Sequence, residues 1–127
     1  MGAPFARLTV ALGALLTGLT SVSLNAADPK PDGGQAFRQR CQACHSATAA
    51  KTSPLGPNLA GVVGRKAAAL PFAYSSALKA SKLTWTKANL DKYLAAPMKM
   101  VPGTRMVVSI PDPAQRSAVI DFLAKAK

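Results

Sequence analysis

The sequence has no glutamate, one histidine and only two cysteines among its 127 residues. A structural zinc site needs four protein ligands, so these two cysteines and one histidine cannot complete one. No stretch alternates apolar and polar residues convincingly, and no internal repeat is present. The βαβ context of a thioredoxin-like redox motif is therefore missing, and an all-α fold is predicted.

The two cysteines and the histidine stand together in residues 41–45, CQACH. This C-x-x-C-H order is typical of covalent haem attachment. Each cysteine can add across one vinyl group of a haem, and His45, which follows Cys44 directly, can reach the iron axially. A bare dithiol or a disulfide is the alternative that these five residues leave open.

Acidic residues are scarce, with five Asp against 16 Lys and Arg and a net charge of +11. Such a charge indicates acidic partners and salt-sensitive steering of encounters. The positive residues are spread along the chain and do not cluster with aromatic residues. Nucleic acid is therefore not the predicted partner.

The first 27 residues carry one charge, Arg7, followed by a run of apolar and small residues and by Ala26 and Ala27. We interpret residues 1–27 as a secretory signal peptide, cleaved near Ala27, that sends residues 28–127 to the periplasm. An uncleaved leader that anchors the protein in the membrane, facing the periplasm, is the alternative. Cleavage would remove one of the 16 basic residues and no Asp, which leaves +10 on about 100 residues. A domain of that size has a marginal core, which a large apolar cofactor would complete.

Short helices and long loops are predicted along the remaining chain. A first helix starts at Gly33 or Gly34, turns Phe37 inward and presents Cys41 and Cys44 on the same face at its C-terminal end. Proline and glycine make residues 46–66 a loop. Further helices are predicted over 74–80, over 87–95 with Thr86 as N-cap, and from the Asp112-Pro113 pair to about residue 126, with loops such as 98–106 between them. The last helix would turn Val119, Phe122, Leu123 and Ala126 inward.

A haem iron held by one histidine takes a sixth ligand or leaves an open site. A thioether favours the reduced iron, as suits an electron carrier. Met98, Met100 and Met106 are the candidates, and each could instead be ordinary core. Met106 is preferred because residues 102–104, PGT, form a turn that can direct it to the pocket, whereas Met98 follows Pro97 directly and is expected to be peripheral.

From residue 33 to about 125 the chain resembles class I c-type cytochromes of the mitochondrial and bacterial short-chain type. The segments that carry the resemblance are FRQRCQACH at 37–45, GPNL at 56–59, GRK at 64–66, LTW at 83–85, YL at 93–94 and PGTRM at 102–106. It implies a cytochrome c fold over residues 28–127, with three to five short helices and long loops around one covalently bound haem c.

The resemblance also implies roles for individual residues. Cys41 and Cys44 would form the thioether bonds, and His45 and Met106 would be the axial ligands. The Pro57 carbonyl would accept a hydrogen bond from the His45 ring. Tyr93 would lie near Met106, and the haem propionates would be surrounded by Arg65, Tyr74, Trp85 and Thr104. Two positions depart from the family: Leu78 replaces an asparagine and Val108 replaces a frequent aromatic residue.

The implied function is that of a soluble, monomeric one-electron carrier and not an enzyme. It would dock transiently on acidic surfaces of membrane complexes, such as a quinol–cytochrome c oxidoreductase and a cytochrome c oxidase or a reaction centre. The residues expected to ring the haem edge are Arg40, Lys99 and Arg105. An electron-transfer subunit of a periplasmic dehydrogenase is one alternative, and a haem enzyme or gas-binding protein with an open sixth site is another.

Overall fold

A computed structural model describes Gly2, residues 28–53 and residues 55–127 of the chain. It contains five helices in this part of the chain: α1 (Gly33–Arg40), α2 (Ser76–Ala80), α3 (Lys87–Ala95), α4 (Pro97–Met100) and α5 (Pro113–Lys125). The described residues form no strand, and the only pairing of strand type among them is an isolated antiparallel bridge between Lys66 and Thr84. The predicted all-α fold is therefore confirmed. Apart from Gly2, the predicted leader lies outside the described residues.

Polar side chains determine where four of the helices begin. The side-chain oxygens of Asp32, Ser75, Thr86 and Asp112 accept hydrogen bonds from backbone N–H groups of the first turns of α1, α2, α3 and α5. Each bond satisfies a donor that has no partner within the helix. Because Ser75 caps α2, that helix begins at Ser76, two residues later than the sequence predicted.

The loop predicted over residues 98–106 is wrong at its start. Ala96 leaves the helical conformation, with φ −157° and ψ 80°, and so ends α3. Pro97 then begins α4, because the fixed φ of proline suits the first turn of a helix, where no N–H is needed. Met98 consequently lies in α4, and 56% of its surface is exposed.

Helices α1 and α5 cross with their backbones in very close contact. A Cβ atom on Gly33 would overlap the Ala118 carbonyl group, lying 2.6 Å from its carbon. Only glycine permits this approach, which also brings the rings of Phe37 and Phe122 to a centroid separation of 5.2 Å. At the same end of the molecule, the Gly61 N–H donates to the carbonyl of Ala126 at 2.8 Å.

The buried core lies between α1, α3 and α5 and the loops that connect them, and α4 packs against α3. In α5, Val119 and Leu123 are buried as predicted, whereas Phe122 and Ala126 are only half-buried. Ala118 and Ile120 are buried as well, because α1 and α3 pack on different sides of α5. None of the helices in the described residues has the length and apolar character needed to cross a membrane.

Several apolar side chains stay half-exposed although they pack against this core: Leu59, Val63, Leu78, Leu83, Met100 and Met106. They come from the loops and short helices and not from the α1–α5 crossing. These side chains leave apolar surface of the core incompletely covered by protein, and an apolar cofactor could cover such surface.

Candidate functional site

Residues 41–45 form a turn at the end of α1. The helix ends at Arg40, and Cys41 is its C-cap. The N–H groups of Cys44 and His45 donate to the Cys41 carbonyl at 3.0 and 2.9 Å. Cys41 follows Phe37 by one helical turn, and its N–H donates to the Phe37 carbonyl at 2.8 Å, whereas Cys44 lies beyond the end of the helix, in the turn.

Both cysteines are free and half-buried. Burial raises the pKa of the Cys41 thiol, and the nearby Arg40 offsets this only in part. Redox-active C-x-x-C motifs have a thiol whose pKa is lowered. The pKa of the Cys41 thiol is shifted in the opposite direction.

The imidazole of His45 is fixed by its neighbours. Its Nδ1 lies 2.7 Å from the Pro57 carbonyl oxygen. Gly56 packs against the ring so closely that a Cβ there would lie 2.5 Å from Cε1 and 2.7 Å from Nδ1. When Nδ1 donates its proton to Pro57, the lone pair is on Nε2, which is the form of histidine that binds a metal.

The loop after the motif is closed by its own hydrogen bonds. The Ser53 hydroxyl donates to the Cys44 carbonyl, and the Leu59 N–H donates to Ser46 at 2.7 Å. The Asn58 amide donates to the carbonyls of Thr48 and Lys51 at 2.8 and 2.7 Å. The roles of Ser53 and Asn58 cannot be read from the sequence, because their partners are backbone carbonyls that have no sequence signature.

The side chain of Arg65 stabilises the same loop. Its guanidinium donates to the carbonyls of Asn58 at 2.7 Å and Ala60 at 3.0 Å. Burial lowers the pKa of Arg65, and the neighbouring Tyr74 acts in the opposite direction. The two carbonyl acceptors therefore fix the guanidinium against the loop that follows the motif.

A buried polar pair lies between α3 and the loop that carries Met106. The hydroxyl oxygens of Tyr93 and Thr104 are 2.6 Å apart, and both residues are buried. Burial raises the pKa of the Tyr93 hydroxyl, and its hydrogen bond with Thr104 offsets part of that shift. The ring of Trp85 packs on Tyr93 at a centroid separation of 4.9 Å.

The three candidate methionines differ in their surroundings. Met98 is exposed on α4, whereas Met100 and Met106 pack against the core. The Met106 loop, residues 101–112 between α4 and α5, is held by hydrogen bonds on both sides of the methionine. Arg105 donates to the Ala73 carbonyl at 2.7 Å, and the Ile110 N–H donates to the Leu94 carbonyl at 2.8 Å.

The three residues expected at a docking edge are all exposed. Arg40 ends α1, Lys99 lies in α4, and Arg105 follows the buried Thr104. The candidate donors are the two free thiols of Cys41 and Cys44, the oriented imidazole of His45 and the half-buried thioethers of Met100 and Met106. These groups fit a haem that is bound covalently to the motif.

Comparison with known proteins identifies the family. The sequence model described as "Cytochrome c" matches residues 31–127. A cytochrome c2 from Rhodomicrobium vannielii is 46% identical over 106 residues, which cover 82% of this chain and 84% of the relative. A cytochrome c2 from Rhodoblastus acidophilus is 42% identical over 99 residues, covering 76% of this chain and 92% of the relative.

A solved structure is also similar. Cytochrome cH from Methylobacterium extorquens superposes with a TM-score of 0.67 at 43% identity, covering 73% of this chain and 97% of that one. The chain therefore belongs to the cytochrome c family and carries one covalently bound haem c.

Proposed function

We propose that this protein is a one-electron carrier of the periplasm whose haem iron is ligated by His45 and Met106. The single observation that carries the proposal is the oriented imidazole of His45, held by the Pro57 carbonyl 2.7 Å from Nδ1 and by the backbone of Gly56. The haem supplies an iron that gains one electron in the ferric state and gives it up in the ferrous state.

The residues around the motif hold the cofactor in one orientation. Cys41 and Cys44 provide the two thioether bonds, and the turn at 41–45 puts His45 next to them. The hydrogen bond to Pro57 fixes the tautomer and the orientation of the imidazole ring. A rigid site of this kind needs little rearrangement when the iron changes charge, as a carrier requires.

Met106 is the proposed sixth ligand. A thioether stabilises the ferrous state, and a filled sixth position leaves no place for a substrate or a gas. Met106 is preferred to Met100 because it follows the turn at 102–104 and lies in a loop tied down through Thr104, Arg105 and Ile110. Tyr93 lies at the base of this loop through its bond to Thr104. These features support a carrier and not an enzyme.

The proposed partners present acidic surfaces. Residues 28–127 carry 15 Lys and Arg and five Asp, and Arg40, Lys99 and Arg105 are exposed. We infer a quinol–cytochrome c oxidoreductase as electron donor and a cytochrome c oxidase or a reaction centre as acceptor. Two relatives carry the name cytochrome c2 and come from bacteria, which supports this placement.

The proposed mature form begins after residue 27. The mass of the protein recovered from the periplasm tests this together with haem attachment. The expected mass is that of residues 28–127 plus one haem, and a mass that includes the leader would support the anchored form.

Ligation is tested by the near-infrared band that arises from sulfur-to-iron charge transfer in the oxidised protein. We expect the unaltered protein to show the band, Met106→Ala to lose it, and the matched controls Met100→Ala and Met98→Ala to keep it. A high-spin spectrum of the unaltered protein would contradict the closed six-coordinate site and favour a haem enzyme or gas-binding protein.

A further inference from the structure

Arg116 connects three parts of the molecule. It lies in α5, and only 12% of its side chain is exposed. Its Nε donates to Asp91 Oδ1 of α3 at 2.7 Å. Its Nη1 donates to the carbonyls of Ile110 and Pro111 at 3.0 and 2.7 Å, at the end of the Met106 loop.

The loop needs such an anchor because its residues just after Met106 pack weakly. Val107 and Val108 are 72% and 43% exposed. Ile110, which follows them, is 1% exposed, and its N–H donates to the Leu94 carbonyl. The position of Met106 therefore depends on how firmly residues 110–111, at the C-terminal end of its loop, are held against α3.

We propose that Arg116 and Asp91 form a latch that positions the Met106 loop and so keeps the thioether on the iron. The inference rests on the proposed ligation by Met106. Arg116 is a positioning residue: its hydrogen bonds go to Asp91 and to the carbonyls of Ile110 and Pro111, and it acts through the backbone of these two residues.

The chemistry of arginine suits this task. A guanidinium has several N–H donors in a fixed plane, so one side chain serves a carboxylate and two carbonyls together. A lysine ammonium at the same place is a compact charge on a flexible stem and cannot span all three acceptors. Replacing Arg116 by Lys therefore loosens the loop while the positive charge stays.

A simpler role would be to stabilise the packing of α3 on α5. The chain offers a matched control for that role, because Lys87 of α3 pairs with Asp121 of α5 at 2.9 Å. This pair joins the same two helices, and in the described part of the chain neither side chain forms a hydrogen bond or an ion pair with the Met106 loop. The side chains of Lys87 and Asp121 are 58% and 40% exposed.

The test measures how easily free imidazole displaces Met106 from the oxidised iron at neutral pH. Imidazole binds only when the thioether has left, so its apparent dissociation constant falls as the open fraction of the loop rises. Loss of the sulfur-to-iron band on titration with imidazole gives this constant for the holoprotein. The far-ultraviolet circular dichroism of each variant reports whether it is folded.

We expect Arg116→Lys to bind imidazole about tenfold more tightly than the unaltered protein, since the loop loses charge-assisted hydrogen bonds to the carbonyls of Ile110 and Pro111. Asp91→Asn should tighten binding by a smaller factor, because the two carbonyl contacts remain. Lys87→Gln should leave the constant unchanged. Asp91 is half-exposed, so Asp91→Asn provides the test even if Arg116→Lys does not fold.

Equal imidazole affinity in the unaltered protein, Arg116→Lys and Asp91→Asn would overturn the latch. An increase in Lys87→Gln as large as that in Arg116→Lys would overturn it too, because general α3–α5 stability would then explain the effect. Both results leave Met106 as the ligand. A missing sulfur-to-iron band in the unaltered protein would instead overturn the ligation, and the latch with it.

Discussion

His45 is held by backbone on two sides, by the Pro57 carbonyl through a hydrogen bond and by Gly56 through direct contact. The contact with Gly56 leaves no room for a side chain. The local sequence predicts only a turn for this glycine, whereas the family resemblance implies a specific role for its neighbour Pro57. The contact exists because the chain doubles back on the motif, and no local pattern around residue 56 encodes that approach.

Gly56→Ala should therefore disturb the proximal side of the haem. The new Cβ would be 2.5 Å from the His45 ring, which must shift away from Pro57. We expect a loss of about 1–3 kcal/mol in the free energy of unfolding, the usual cost of an overpacked site, together with a changed visible spectrum. Gly61→Ala is the control: it strains a positive φ but meets no atom within 4 Å, so its spectrum should stay normal.

The buried pair of Tyr93 and Thr104 gives a second prediction for single residues. Tyr93→Phe leaves the Thr104 hydroxyl buried without its partner, which should cost about 1–3 kcal/mol of unfolding free energy. The double change Tyr93→Phe with Thr104→Val should cost less than the sum of the two single changes, because it removes both polar groups. Additive costs in denaturant unfolding would contradict a direct interaction between the two hydroxyls.

Among the helices, the crossing of α1 on α5 is the contact most sensitive to a single methyl group. Gly33→Ala would place a carbon against the Ala118 carbonyl, and both partners are backbone that cannot give way. We expect a loss of about 3 kcal/mol in the free energy of unfolding.

The neighbouring glycine is the control for the Gly33 prediction. A Cβ on Gly34 would have side-chain atoms of Asp32, Arg38 and Phe122 at 3.3–3.5 Å, and these can adjust. Gly34→Ala should therefore change the stability by less than about 1 kcal/mol. If the two variants unfold at the same denaturant concentration, the close crossing is not what selects glycine at position 33.

How much the sequence could reveal differs between elements. The bounds of α3 follow from local chemistry, because Thr86 caps its start and Pro97 follows its end. Helix α4 does not follow from local chemistry alone, because Pro97 both ends the pattern of α3 and, through its fixed φ, suits the first turn of a new helix. The latch through Arg116 has no local signal, because its partner Asp91 lies in another helix and its other acceptors are carbonyls.

The components of the site also differ in how far the sequence reveals them. The C-x-x-C-H motif is contiguous and needs no fold to be recognised. Its other proposed components, Pro57 and Met106, come from distant loops. Their assignment relied on the family resemblance, since a carbonyl group and a thioether occur in many places in any chain.

For the whole molecule, the excess of positive charge should control the rate at which it meets its partners. Reversal of Lys99 and Arg105 to Glu should slow electron transfer to a membrane oxidase by about tenfold or more at low salt. The difference should shrink at high salt, where the interaction is screened. Lys125→Glu, at the end of α5, is the matched control and should have a smaller effect. An unchanged rate for the double reversal would exclude docking through these residues.

The crossing of α1 and α5 also determines where a segment joined to either end of the domain would leave the protein surface. Lys30, before α1, lies 3.5 Å from Asp121 of α5, so the two ends of the domain are neighbours. Among the described elements, α4 packs against α3 and not against this crossing. A tether joined at either end, whether a retained leader or an engineered fusion to an electrode or enzyme, would therefore be attached near this crossing and away from Lys99. The domain could then rotate about the attachment point and present the surface that carries Lys99 first to an electron donor and then to an electron acceptor.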